Sequence, residues 1–225
     1  MYDFRFDVVF SNFSFLLEGV RLTLIITSLA LSMGVVIGLI TAIIRLAKVP
    51  ILTPVLVGYV EFFRGTPPLV QIMWFFFGMP ILLGVQIPGE VSCTIALGLN
   101  AGAFLSEVFR AGIQAVPVGH IEAGLSVAMS RFTVMRRVIL PQAIVIILPA
   151  LGNIFISLIK DSSLVSVIAV DELMRRGDEL NTRTYRPIEV YTVVAFMYFA
   201  LTYATSRLML AWEDRLRRRR TKASV

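Results

Sequence analysis

The chain has a single cysteine, a single histidine and few charged residues, and each shortage removes a class of function. Cys93 is alone among 225 residues, so neither a disulfide framework nor a thiolate metal site can be built. His120 is the one histidine, no H-E-x-x-H string occurs, and no metal site is expected. A G-x-x-x-x-G-K-[ST] string is also missing, so the chain does not itself cradle nucleotide phosphates. With no such constellation, neither a catalytic site nor a cofactor of its own is expected. Charged residues make up only 16% and apolar residues 57%, with a mean hydropathy of +0.81, which is the composition of a polytopic membrane protein. The net charge of +6 does not indicate nucleic acid. Its basic residues gather at the ends of apolar runs and in the tail Arg215 to Lys222, where they write topology.

Five apolar runs are long enough to matter. Leu22 to Ile44 is an uncharged stretch of 23 residues, which at about 1.5 Å per residue covers a hydrocarbon core of about 30 Å. Arg45, Lys48 and Pro50 end it. Ile51 to Phe63 is a shorter amphipathic piece broken by Pro67 and Pro68. Leu69 to Val85, Val91 to Phe109, Val138 to Ile159 and Val190 to Trp212 complete the set. With the amino terminus outside, the internal segments hold thirteen basic residues and the external ones six, the bias that the positive-inside rule expects. The chain therefore divides into an external segment 1–21, one transmembrane domain 22–212 and a basic cytoplasmic tail 213–225. That tail suits anionic lipid headgroups or simple stop-transfer. No pair of matching inverted halves is evident, which weighs against a secondary transporter working alone.

Between the third and fourth runs lies a segment too short and too polar to span. Wound as a helix from Ile121, it places Ile121, Leu125, Ala128 and Met129 on one side and Glu122, Ser126 and Ser130 on another. Arg131, Arg136 and Arg137 follow at what the charge count makes a cytoplasmic edge. From residue pattern alone, this piece reads equally well as a helix lying on lipid headgroups.

Glu122-Ala123, then Ala128-Met129-Ser130, then Val138-Ile139-Leu140-Pro141-Gln142-Ala143 resembles the cytoplasmic loop motif of ABC importer permeases. The strings Tyr59 to Pro67, Leu97 to Ala103, Glu107 to Ile113 and Lys160 to Ile168 are similar to the same family, in its branch that imports polar amino acids. The resemblance implies an all-α membrane protein of the type I importer permease fold, with five transmembrane helices and a cytoplasmic coupling helix near 119–130. In that reading Gly119, His120, Glu122, Ala123, Gly124, Ser126, Ala128, Met129 and Ser130 meet a separate ATPase, which binds ATP and Mg. It further implies a second permease subunit, identical or homologous, an external solute-binding protein and an amino-acid substrate. His120, Gly124 and Ala128 depart from the residues usual in the motif. Ala128 matters most, because alanine tolerates positive φ less well than glycine.

Polar residues in the spans or directly after them mark a candidate substrate pathway: Asn100, Glu107, Gln142, Asn153, Ser157, Lys160, Asp161 and Ser162. Such residues usually face protein or a wet cavity. Asn100 and Glu107 share a helix face, although Glu107 is equally explained by pairing with Arg110. Lys160 and Asp161 read as an adjacent, self-compensating pair at the interface, or Asp161 and Ser162 help bind or sense the ammonium of an amino acid. Glu61 and Arg64 are best read as a helical ion pair. Asp171 to Arg186 reads as a solvated external loop, or as a landing surface for a binding protein. Pro141 and Pro149 suit a kinked pore-lining helix. Import of opine-like or other amines, and an ATP-independent channel or carrier, remain as alternative functions.

Overall fold

The computed structural model describes residues 3–223, with side chains through Arg215, and consists of helices with no strand among the described residues. A short helix α1 (Asp7–Ser11) leads into α2 (Phe13–Leu46), followed by α3 (Leu52–Gly65), α4 (Pro68–Met73) and α5 (Met79–Leu83), the last two joined by a π-helical turn over Trp74–Gly78. Next come α6 (Gly89–Gln114), α7 (Val118–Ser126) and α8 (Arg131–Val134). A second π-helical turn, Met135–Ile139, opens into α9 (Leu140–Asp161). A 3₁₀ segment, Ser162–Ile168, precedes α10 (Leu173–Thr184) and α11 (Pro187–Ala223).

Four helical stretches are long and apolar enough to cross a membrane: Phe13–Leu46, Gly89–Gln114, Arg131–Ile168 and Pro187–Arg215. The fifth candidate is the pair Leu52–Gly65 and Pro68–Leu83, bent by 109°. Both sequence-drawn boundaries, at residues 21/22 and 212/213, fall inside continuous helices. α2 starts nine residues before the expected Leu22 and, at 34 residues, is about 50 Å long, so it projects beyond a bilayer core. Most of the basic tail's side chains lie outside the described residues.

The α2–α6 pair is the most extensive packing in the bundle. Small residues set its distance. A Cβ on Gly38 would sit 2.8 Å from the Cβ of Leu105, 3.0 Å from the carbonyl of Gly102 and 3.0 Å from the amide of Ser106. The patch Gly98, Ala101 and Gly102 therefore serves close helix approach, as its composition suggested. Around it Ile26, Ile72, Leu97, Leu158 and Val165 form the main apolar core.

The bend between α3 and α4 has an identifiable chemistry. Pro67 lacks the N–H that would bond the carbonyl of Phe63 four residues earlier. Gln71 Nε2 supplies a donor to that carbonyl at 2.9 Å and Asn100 Nδ2 another at 3.0 Å. Gln71 Nε2 also donates to the Thr66 carbonyl at 3.1 Å, and Asn100 Nδ2 to Gln71 Oε1 at 3.1 Å. The break is thus satisfied by two buried amides.

Asp171 to Arg186 is not a solvated loop. Most of it is α10, capped by Glu172, whose carboxylate accepts from the amide of Arg175 at 2.9 Å. Leu173, Gly177 and Leu180 are buried at helical spacing against Val9, Leu16, Val190 and Val194. Glu172 itself is fully buried. It accepts from the hydroxyls of Tyr198 at 2.6 Å and Thr23 at 3.3 Å, joining α10 to α11 and α2. Burial pushes its carboxyl above the usual range, opposed by the Tyr198 hydroxyl, the backbone donors and the Thr23 hydroxyl. The amide of Arg5 donates to Glu189 Oε1 at 3.0 Å, and Arg186 Nη1 to the carbonyl of Asp3 at 2.6 Å, docking the amino-terminal segment on the same end of the bundle.

Candidate functional site

α7 stands at the end of the bundle opposite α10, because α9 runs from one to the other. Pro117 precedes its first turn, and nine residues later the helix ends in a Schellman turn. The amide of Met129 donates to the carbonyl of Gly124 at 3.2 Å, and that of Ala128 to Leu125 at 3.0 Å. Ala128 takes φ +60°, the left-handed conformation that favours glycine. The turn thus has the backbone geometry that alanine tolerates less well than glycine. Ser130 then caps α8 by accepting from the amide of Thr133 at 3.2 Å.

The helix has an inward and an outward face. Ile121 and Met129 pack against Val116, Val134, Ile139 and Ala143. Gly124 is buried, and a Cβ there would meet Val134 Cγ2 at 3.1 Å, so glycine sets the seat of α7 on α8. Gly119, His120, Glu122, Ala123, Ser126, Ala128 and Ser130 are exposed. Leu125, which the helical period places on one side with Ile121, is exposed, as are Val118, Val127 and Phe132. Ala128, placed on that same side by the helical period, is exposed too, because the chain beyond Ser126 leaves the helix.

The candidate pathway residues separate into several places. Asn100, Ser157 and Asp161 come together around a cavity of about 210 Å³, walled by Pro68, Ala101, Phe104, Ile154 and Leu158. The guanidinium of Arg64 lies 5.4 Å over the Phe104 ring. Among the described residues it makes no ion pair with Glu61, so the expected Glu61/Arg64 pair is not formed. Glu107 is held elsewhere. Its carboxylate bridges Arg45 of α2 at 2.6 Å and Arg110 at 2.7 Å, a clamp between α2 and α6. Gln142 leaves the pathway too, since its Oε1 lies 2.9 Å from His120 Nδ1. Asn153 lines a separate small cleft between α9 and α11, with Ser206 and Met209. Ser162 is buried and donates to the carbonyl of Ile159 at 2.8 Å, and Lys160 is exposed. The cavity is chemically suited to a small solute with both apolar and charged parts: one carboxylate, one amide and one hydroxyl on otherwise apolar walls.

Gln71, which closes the α3–α4 break, is the residue beside the cavity that sequence reasoning passed over. Its signal was Pro67, which obliges some neighbour to supply a donor to the carbonyl of Phe63.

A bundle of spanning helices, broken at one bent pair and carrying a short exposed helix on one end, is the architecture of a transport permease subunit with the type I ABC importer fold. The model of the family "binding-protein-dependent transport system inner membrane component" matches residues 34–218, and the chain belongs to that family. The glutamine transport system permease protein GlnP of Escherichia coli (strain K12) is 34% identical over 215 residues, covering 95% of this chain and 98% of that protein. The L-cystine transport system permease protein TcyB of Bacillus subtilis (strain 168) is 41% identical over 214 residues, covering 94% and 91%. Among solved structures, the crystal structure of an amino acid ABC transporter with histidines superposes with a TM-score of 0.89 at 38% identity, covering 95% of this chain and all of that one.

Proposed function

We propose that this chain is the transmembrane subunit of an ATP-driven importer of polar amino acids, coupled through α7 to a separate ATPase. Its amino terminus lies outside, its carboxyl terminus inside, and it works beside a second permease subunit, identical or homologous. A solute-binding protein delivers substrate at the α10 end. ATP and Mg belong to the ATPase, and this chain contributes no catalytic group. The observation that carries the reading is the placement of α7. It presents Glu122, Ser126 and the apolar Val118, Leu125 and Val127 to solvent at one end of α9, while Ser157 and Asp161 of the same helix line the cavity. Exposed apolar side chains outside the spans indicate a contact surface.

In the cavity, Asp161 receives the ammonium of the amino acid, and Arg64 beside Phe104 attracts its carboxylate. Asn100, committed to the α3–α4 break, shapes the wall. The relatives named for glutamine and L-cystine support an amino-acid cargo. The test is reconstitution of the permease and its ATPase in liposomes, with a scan of amino acids, opine-like compounds and simple amines for stimulated ATP hydrolysis. Stimulation by polar amino acids is the expected result. Stimulation only by compounds lacking an α-carboxylate would overturn the cargo, and uptake with no nucleotide would overturn the class.

A further inference from the structure

We propose that the His120–Gln142 hydrogen bond is the strut through which α7 drives α9, which makes Gln142 a positioning residue of the coupling machinery rather than part of the solute path. The inference rests on the reading of α7 as the coupling helix. Gln142 Nε2 donates to the carbonyl of Val138 at 2.9 Å, which fixes the orientation of its amide. Its Oε1 therefore faces His120 as an acceptor, and His120 Nδ1 must carry the proton in the 2.9 Å contact. The two residues are 22 positions apart and belong to different elements, α7 and the first turn of α9.

Among the described residues the other side chains that seat α7 there are apolar: Ile121 and Met129 against Val134, Ile139 and Ala143. Contacts of that kind resist separation but have no preferred direction, so they permit sliding. Among the described residues the His120–Gln142 bond is the directional side-chain tie between α7 and α9. Gln142 lies 19 positions before Asp161 on one helix, about 28 Å at the helical rise. Pro149, between them, removes one backbone bond and gives the helix a place to bend. A displacement of α7 is thus delivered at the foot of the helix whose far end carries the cavity carboxylate. A contiguous element of this sort is the physical form that coupling between distant sites takes.

The experiment uses the complete permease–ATPase complex in liposomes and reads amino acid taken up per ATP hydrolysed, with copurified ATPase as the measure of assembly. His120→Leu and Gln142→Leu are each expected to lower that ratio about fivefold, the fold-change one neutral hydrogen bond represents. Assembly should be kept. The double variant should fall no further than either single one, since both remove the same bond. His120→Asn, whose Nδ2 replaces the Nδ1 donor, should recover most of the ratio, which a merely structural defect would not. Unchanged ratios in both single variants, or losses that multiply in the double variant, would overturn the strut. Glu122→Arg on the outward face separates the two levels. If it uncouples while His120→Leu does not, only the strut fails; if neither variant uncouples, the reading of α7 fails with it.

Discussion

Replacing Tyr198 by phenylalanine deletes one hydroxyl and leaves the ring, yet it removes the shortest of the donors that hold the buried carboxylate of Glu172. Glu172 is fully buried and accepts from Tyr198, Thr23 and the amide of Arg175, each donor coming from a different place in the fold. A hydrogen bond to a charged group contributes about 1.5–3 kcal/mol, and the loss here falls on a group with no water to replace the donor. That energy corresponds to about ten- to a hundredfold in the local opening equilibrium. Amide exchange across Leu173–Thr184 should therefore accelerate by that factor, while exchange in α6 stays as it was. The pH dependence has a definite sign. Burial raises the carboxyl of Glu172 above its ordinary value in the folded state. Folding consequently favours its protonated form, and its contribution to stability falls as pH rises from the ordinary glutamate range through the raised one. Glu172→Gln should flatten that part of the stability profile. Unaltered α10 exchange in Tyr198→Phe, or a wild-type profile that does not differ from that of Glu172→Gln, would refute the assignment of Glu172 as the hub of this end.

Ala128→Gly relieves a left-handed alanine and should slow amide exchange in the 124–130 turn, by about 0.5–1 kcal/mol of local stability. Gly38→Ala places a Cβ against the backbone of α6 and should lower the Tm of the purified protein, at a cost of about 1–3 kcal/mol. Gly58→Ala, where nothing lies within 4 Å, should not lower it. Asp161→Ala should weaken uptake with assembly intact, and an unaltered substrate dependence would remove Asp161 from the site.

How far the sequence reaches depends on what kind of signal each residue carries. α7 is legible because a polar segment between two apolar runs, with arginines after it, has few places to be. The left-handed Ala128 is hidden from the helical period, which carries the helix through Ser130, and only the glycine usual at that place in the resembling motif hints at it. α10 was missed because the charges of Asp171 to Arg186 outweigh its three inward positions, although Leu173, Gly177 and Leu180 keep helical spacing and Glu172 stands where an N-cap would. Polarity within a span says that a partner exists without saying which one. Hence Glu107 pairs with Arg45 on another helix, and Gln142 with His120, while Asn100, Ser157 and Asp161 of the candidate pathway share a cavity. Arg64 was expected beside Glu61 because they share a helical face, but the aromatic ring of Phe104 on α6 holds it instead.

The coupling role of α7 is tested most directly by charge reversal on its outward face. Glu122→Arg, in the full complex reconstituted in liposomes, should leave membrane insertion intact and ATP hydrolysis measurable while amino acid uptake per ATP collapses. Uptake per ATP equal to that of the wild type would contradict the account.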